Sequence, residues 1–183
     1  MPNSDNIKDL VLRLNYNILK EHFTLHNPNN YLERAESYEY LSEKNGYLLL
    51  HTFTKDTITY VKKLRDNFPN MKIIIAHLGR DPKQTPEFIK NTINTFYGDD
   101  KIYTDISTIT NPDLINYVVK KISSSRVLYG SDFPFSTEKG TRTSDFIKII
   151  NEANLTSSEN DDLLYKTADN IINTSKILKL SRF

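Results

Sequence analysis

Four short runs of apolar, mostly β-branched residues recur along the chain. They are YLLLH (47–51), KIIIAH (72–77), KIYTDIS (101–107) and RVLYGSD (126–132). Runs of this kind are typical of strands buried on both faces of a parallel sheet. They begin at residues 47, 72, 101 and 126, so each gap has room for one helix. The spacing therefore predicts four consecutive βα units.

The gaps between these runs carry the helical pattern that βα units require. Residues 56–68 place apolar side chains on one face, and the pattern stops before a proline. Residues 85–98 have Pro86 at the expected first helical position, and residues 111–122 have Asn111 as the expected cap. Each of these three segments is predicted to be a helix that covers the sheet.

Helical patterns also flank the βα units. Upstream, apolar residues recur at helical spacing from Ile7 to Ile18, and a second helical pattern is closed by Asn45-Gly46. Downstream, residues 144–154 form one helical pattern, and Thr156 opens another with capping-box spacing. The chain is thus predicted to be a single domain over residues 1–183. Its parts are N-terminal helices in 1–46, four βα units in 47–155 and a C-terminal helix in 156–183.

Two α/β architectures contain consecutive βα units, namely a doubly wound sheet and a (βα)8 barrel. No Gly-rich phosphate-binding turn follows any of the predicted strands. Its absence lowers the case for a dinucleotide-binding sheet. The pattern alone leaves both architectures open.

Composition narrows the classes of function. The 183 residues include 24 basic and 23 acidic side chains, which give a net charge of +1 and no field that would attract nucleic acid or an anionic membrane. No apolar segment is long enough to cross a bilayer, so we expect a cytoplasmic protein. The chain has no cysteine, so a metal would be bound by His, Asp or Glu.

Three residues of those types end predicted strands. His51, His77 and Asp132 close the first, second and fourth apolar runs. In both architectures, active sites form at the carboxyl ends of parallel strands. Two imidazoles and a carboxylate suit a divalent metal such as zinc, which activates water. Taken singly, each residue fits a structural role in a strand end or a turn, but their equivalent positions favour one shared site.

The motifs around these residues resemble a known family. LRDNFPNMKIIIAHLGR (64–80), KIYTDIS and RVLYGSDFPF are similar to strands six, seven and eight of the metal-dependent amidohydrolase family, the group that includes aminocarboxymuconate semialdehyde decarboxylase. LSEKNGYLLLHT resembles its strand five. The resemblance runs from about Tyr31 to Leu178. It implies an α/β fold, a partial TIM barrel made of the (βα)5–8 half, with extra N-terminal helices.

The resemblance also implies roles for single residues. His51 matches the strand-five metal ligand, and His77 matches the strand-six histidine, a metal ligand or acid–base group. Asp132 matches the strand-eight ligand that also shuttles a proton. Arg80 is a candidate contact for a substrate carboxylate, with a surface arginine as the alternative. The implied activity is hydrolysis of an amide, ester or lactone, or decarboxylation of a small carboxylic acid, with zinc or manganese.

One part of the family pattern is missing. The His-x-His pair of the family's first strand does not occur in this sequence, and 183 residues is short of the roughly 250 of a full barrel. His22 and His26 are spaced as on one helix face, but we expect them to be solvated at a helix end. The expected alternatives are a partner chain that supplies the first half of the barrel, a homo-oligomer, or a truncated, non-catalytic module that binds a ligand.

Overall fold

The computed structural model describes residues 17–22, 34–51, 56–79, 85–132 and 143–180. Its strands are β1 Ile18–His22, β2 Tyr47–His51, β3 Lys72–Ile75, β4 Ile102–Asp105 and β5 Val127–Leu128. Its α-helices are α1 Ala35–Glu43, α2 Thr57–Asn67, α3 Pro86–Phe96, α4 Pro112–Ile122, α5 Thr143–Glu152, α6 Ser157–Asp161 and α7 Thr167–Leu180. A π-helical turn, Asp162–Lys166, joins α6 to α7.

The five strands form one sheet in which every neighbouring pair is parallel. Their spatial order is the order of the sequence, β1-β2-β3-β4-β5. A doubly wound sheet reverses its strand order part of the way along, whereas the wall of a barrel does not. The fold is therefore α/β with the architecture of a partial (βα)8 barrel, and the prediction of this fold class is confirmed.

Successive side chains along each strand point to opposite faces of the sheet. Leu48, Leu50, Ile73 and Ile75 point to the outer face, where they pack into a core with side chains of α1, α2 and α3. A second outer core joins α3, α4, α5 and the strand residue Val127. The inner face carries smaller apolar contacts around buried residues of β2 and β3 together with Ile171 of α7. Burial on both faces explains the unbroken apolar runs.

Strand β1 corrects one prediction. The helical pattern was expected to extend through Ile18, but residues 18–22 pair with β2, with Ile18 opposite Tyr47 and His22 opposite His51. The N–H of Tyr47 donates to the Asn17 carbonyl at 2.7 Å and begins this ladder. Pairing with a buried neighbour outweighs helical periodicity, which is a weak preference by itself. The rest of that predicted helix lies outside the described residues.

The predicted helix starts are present. The Thr85 side chain accepts the N–H of Phe88 at 3.3 Å, and the Asn111 side chain accepts that of Leu114 at 3.2 Å. Each cap is followed by a proline in the first helical turn. Thr156 forms a complete capping box at the start of α6. Among the helices of the described ranges, none has both the length and the apolar character of a membrane span.

Candidate active site

His51, His77 and Asp132 lie together at the carboxyl ends of the strands. His51 ends β2, His77 lies in the turn after β3, and Asp132 follows β5. The ring centroids of His51 and His77 are 4.8 Å apart. His77 Nε2 lies 3.8 Å from Asp132 Oδ1. The structure thus gathers the three predicted site residues, whose roles as ligands stay a prediction.

These side chains line a cavity of about 280 Å³. Its floor is apolar and contains Leu49, Ile74 and Leu128 from the inner face of the sheet, while Lys20 of β1 adds a cationic side chain. An apolar floor with a few converging polar groups is the usual form of a small-molecule site. The cavity is therefore suited to a small ligand that carries polar groups.

The backbone at two of the site residues adopts an unusual conformation. His77 has φ 53° and ψ 33°, Leu78 has φ 57° and ψ 27°, and Gly79 has φ 71°. Asp132 has φ 50°. Left-handed conformations cost non-glycine residues roughly 1–2 kcal/mol each, and they concentrate at functional sites. Here they occur at two of the three predicted site residues, His77 and Asp132.

Asp105 and Ser107 also belong to the site, although neither was among the residues predicted for it. Ser107 Oγ lies 2.6 Å from His77 Nδ1. Asp105 Oδ1 accepts the backbone N–H of His77 at 3.1 Å and that of Ser107 at 3.0 Å, and it also bonds the Ser107 hydroxyl. The signal for Asp105 was present, because it ends β4 just as His51 ends β2.

His22 is also at this edge, contrary to expectation. It ends β1 beside His51, with ring centroids 4.0 Å apart and an interplanar angle of 31°. The prediction of a solvated helix-end residue was wrong for His22, because it belongs to a strand. His26 and Arg80 lie outside the described residues. Three imidazoles from adjacent strands therefore stand in a row, in the order His22, His51 and His77.

The opposite end of the inner face contains two tyrosines and a lysine. Lys72 Nζ donates to Tyr47 Oη at 3.1 Å, and the rings of Tyr47 and Tyr103 pack edge to face at 5.5 Å. Burial raises the pKa of both phenols, so they stay neutral at physiological pH. The imidazoles and carboxylates that line the cavity, in contrast, lie at the carboxyl ends of the strands.

The donors at the site fit a divalent metal by type. Imidazole nitrogen and carboxylate oxygen are the usual ligands of zinc and manganese in sites without thiolates. Within the described ranges, no three His, Cys, Asp or Glu residues are already arranged as a closed ligand set. The residues are therefore chemically suited to a metal but are not in a finished coordination geometry.

Residues 17–171 match the sequence model of the Amidohydrolase family. This match begins immediately before β1 and ends within α7, so it spans all five strands. None of the curated proteins is similar enough in sequence to match the chain.

Solved structures share the fold at low sequence identity. An amidohydrolase from Burkholderia multivorans with bound zinc has 10% identity and a TM-score of 0.69, with 84% of this chain and 63% of that one covered. The 5-carboxyvanillate decarboxylase from Sphingomonas paucimobilis has 14% identity and a TM-score of 0.66, with 93% of this chain and 62% of that one covered. A dihydroxybenzoic acid decarboxylase from Polaromonas with bound manganese has 11% identity and a TM-score of 0.63, with 93% of this chain and 64% of that one covered. The chain thus spans less than two thirds of each structure.

Proposed function

Since the chain belongs to the Amidohydrolase family, we propose that it carries part or all of the active site of a metal-dependent enzyme. Its reaction is hydrolysis of an amide, ester or lactone, or decarboxylation of a small carboxylic acid. The supporting observation is the meeting of His51, His77 and Asp132 at the carboxyl ends of three strands, around one cavity. The family and the partial barrel fold support an enzyme, and the three strand-end residues support metal-dependent chemistry.

We assign the divalent metal to His51, His77 and Asp132, with zinc as the first candidate and manganese as the second. Such a metal supplies Lewis-acid activation of a substrate oxygen and of water. We assign Asp132 as the acceptor of a proton from water, and its position beside the cavity, with Oδ1 3.8 Å from His77 Nε2, supports this role. His77 and Asp132 are accordingly the proposed catalytic pair.

The substrate is a small molecule with a carboxylate or a similar acceptor group. Lys20 lines the cavity and can pair with such a group, and Arg80 is proposed as a second cation for it. The apolar floor suits the carbon skeleton. Completion of the site by a second copy or by a partner chain also stays a prediction, which the mass of the particle in solution tests.

A non-catalytic module that binds a ligand is the second candidate. It is favoured by one observation, namely that the described residues do not form a closed set of three metal ligands. Stoichiometric metal together with turnover would eliminate this candidate. A small acid that binds without metal and without turnover would support it.

Metal titration of the purified chain tests the first proposal. We expect calorimetry to detect Zn²⁺ or Mn²⁺ binding at one site. Asp132→Asn should weaken this binding at least about tenfold, because the loss of a residue that merely hydrogen-bonds a metal ligand already costs that much. Asp100→Asn is the matched control, because the Asp100 side chain is 84% exposed. Absence of binding, or equal binding by both variants, would refute the assigned metal site.

A further inference from the structure

A continuous set of hydrogen bonds joins Asp105, Ser107 and His77. Ser107 Oγ lies 2.6 Å from His77 Nδ1 and within hydrogen-bond distance of Asp105 Oδ1. Ser107 is 2% exposed and His77 is 6% exposed, so little water can compete for these bonds. The network comes from two strand ends, since His77 follows β3 while Asp105 and Ser107 are at the end of β4.

Counting protons determines the direction of each bond. An ionised carboxylate only accepts, and a serine hydroxyl has a single proton to donate. The Ser107 hydroxyl therefore donates to Asp105 Oδ1, and its oxygen can only accept from His77. The donor on His77 must be Nδ1–H, which leaves a lone pair on Nε2 of the neutral ring.

Asp132 makes no competing hydrogen bond to the other ring nitrogen of His77. Its Oδ1 is 3.8 Å from His77 Nε2, which exceeds a normal hydrogen-bond length, whereas the bond on the Nδ1 side is 2.6 Å. Asp105 Oδ1 is 3.7 Å from Nδ1, almost the same distance as Asp132 Oδ1 from Nε2, so the two negative charges nearly balance. The hydrogen bond to Ser107 therefore decides the tautomer.

We propose that Asp105 and Ser107 are positioning residues that hold neutral His77 as the Nδ1–H tautomer, with its Nε2 lone pair directed to the cavity. A histidine that binds a metal or takes up a proton must present a lone pair at the working atom, and a partner on the other nitrogen provides this. The catalytic consequence rests on the proposed function, but the tautomer does not.

Support for the turn alone does not explain this arrangement. The carboxylate of Asp105 already holds the backbone by accepting the N–H groups of His77 and Ser107. The additional bond from the imidazole to the Ser107 hydroxyl fixes the ring itself. Removing that hydroxyl should consequently change the state of the ring while the turn remains.

NMR of the metal-free full chain measures the tautomer directly. Long-range ¹⁵N–¹H correlation distinguishes the protonated ring nitrogen from the one with a lone pair, and loss of signals in His77→Gln assigns the residue. Spectra are recorded at a pH above which they no longer change, so that the tautomer is read from the neutral ring. We expect Nδ1–H in the wild type, and an Nε2–H ring would overturn the proposal.

Serine variants separate positioning from structural support. We expect Ser107→Ala to shift His77 toward the Nε2–H form or a mixture, and Ser107→Thr, which retains a hydroxyl, to keep the Nδ1–H form. Ser124→Ala is the matched control, since Ser124 donates to Asp162 and lies before β5, whereas the site residue Asp132 follows that strand. An unchanged ring in Ser107→Ala, or the loss of Nδ1–H in a folded Ser107→Thr, contradicts the role of Ser107.

Metal affinity connects this inference to the proposed function. If His77 is a ligand, Ser107→Ala should weaken Zn²⁺ binding by about 10–100-fold, the usual effect of losing an outer partner of a ligand. A wild-type chain with the Nδ1–H ring and no metal binding would refute the metal site and leave the positioning role standing. An Nε2–H ring in a chain that binds Zn²⁺ would refute the positioning role and leave the metal site standing.

Discussion

Replacing Gly46 by alanine should detach β1 from β2 and so disturb the row of imidazoles. A Cβ at Gly46 would lie 2.7 Å from the Asn17 carbonyl oxygen and 2.8 Å from Leu41 Cδ2. The Leu41 side chain can rotate, but the carbonyl is backbone at the start of β1. The new methyl group therefore displaces Asn17, whose carbonyl accepts the N–H of Tyr47 at 2.7 Å.

Two losses determine the size of the effect. Overpacking of a buried position typically costs about 1–3 kcal/mol. Loss of the bond from Tyr47 to Asn17 adds about 0.5–1.5 kcal/mol. We therefore expect Gly46→Ala to lower the free energy of unfolding by about 1.5–4.5 kcal/mol. Gly98→Ala is the control, since no atom lies within 4 Å of its added Cβ, and its effect should stay within about 0.5 kcal/mol.

Urea denaturation of both variants measures the energies. The nuclear Overhauser effect between the rings of His22 and His51, whose centroids are 4.0 Å apart, reports whether β1 keeps its register. It should weaken in Gly46→Ala and persist in Gly98→Ala. Equal stability of the two variants, or an undiminished ring contact in Gly46→Ala, would refute the link between this glycine and the site.

Three further changes test separate parts of the structure. Gly79→Ala should destabilise the fold by about 1–2 kcal/mol in urea denaturation, since Gly79 has φ 71° and the new Cβ would lie 3.0 Å from Thr57 Cγ2; a neutral result contradicts this. The hydrogen bond from Lys120 lowers the pKa of Glu159 from its ordinary value of 4.5 to about 2. Ionised Glu159 therefore stabilises the fold above pH 4.5, and this stabilisation is lost as the pH falls toward 2. Glu159→Gln should flatten that part of the pH–stability curve, and an unchanged curve would disprove the assignment. His22→Phe should keep the thermal midpoint but weaken Zn²⁺ binding about tenfold in calorimetry if the third imidazole supports the site; unchanged affinity excludes it.

The strands that were predicted from the sequence are those buried on both faces. β2 and β3 are continuous apolar runs whose residues are mostly buried, so their pattern has no competing explanation. Helix starts were equally predictable, because caps such as Asn111 act within one turn of the chain. The positions of His51 and Asp132 followed from the rule that parallel strands end at one edge.

β1 was not predictable in the same way. Its residues are only partly buried, with Lys20 exposed in the middle, so the strand lacks an apolar run. The local pattern up to Ile18 favours a helix, and only pairing with β2, nearly thirty residues later, makes it a strand. His22 was misplaced for this reason, and with it the third imidazole of the site.

The orientation of His77 depends on contacts of still longer range. The sequence places this residue after a strand, but its left-handed φ of 53° and its bond to Ser107, thirty residues away, decide where the ring points. The same bond decides which ring nitrogen carries the proton. A strand-end rule therefore identifies which residues meet at the site, whereas the tautomer of His77 is set by the neighbouring strand, through Asp105 and Ser107.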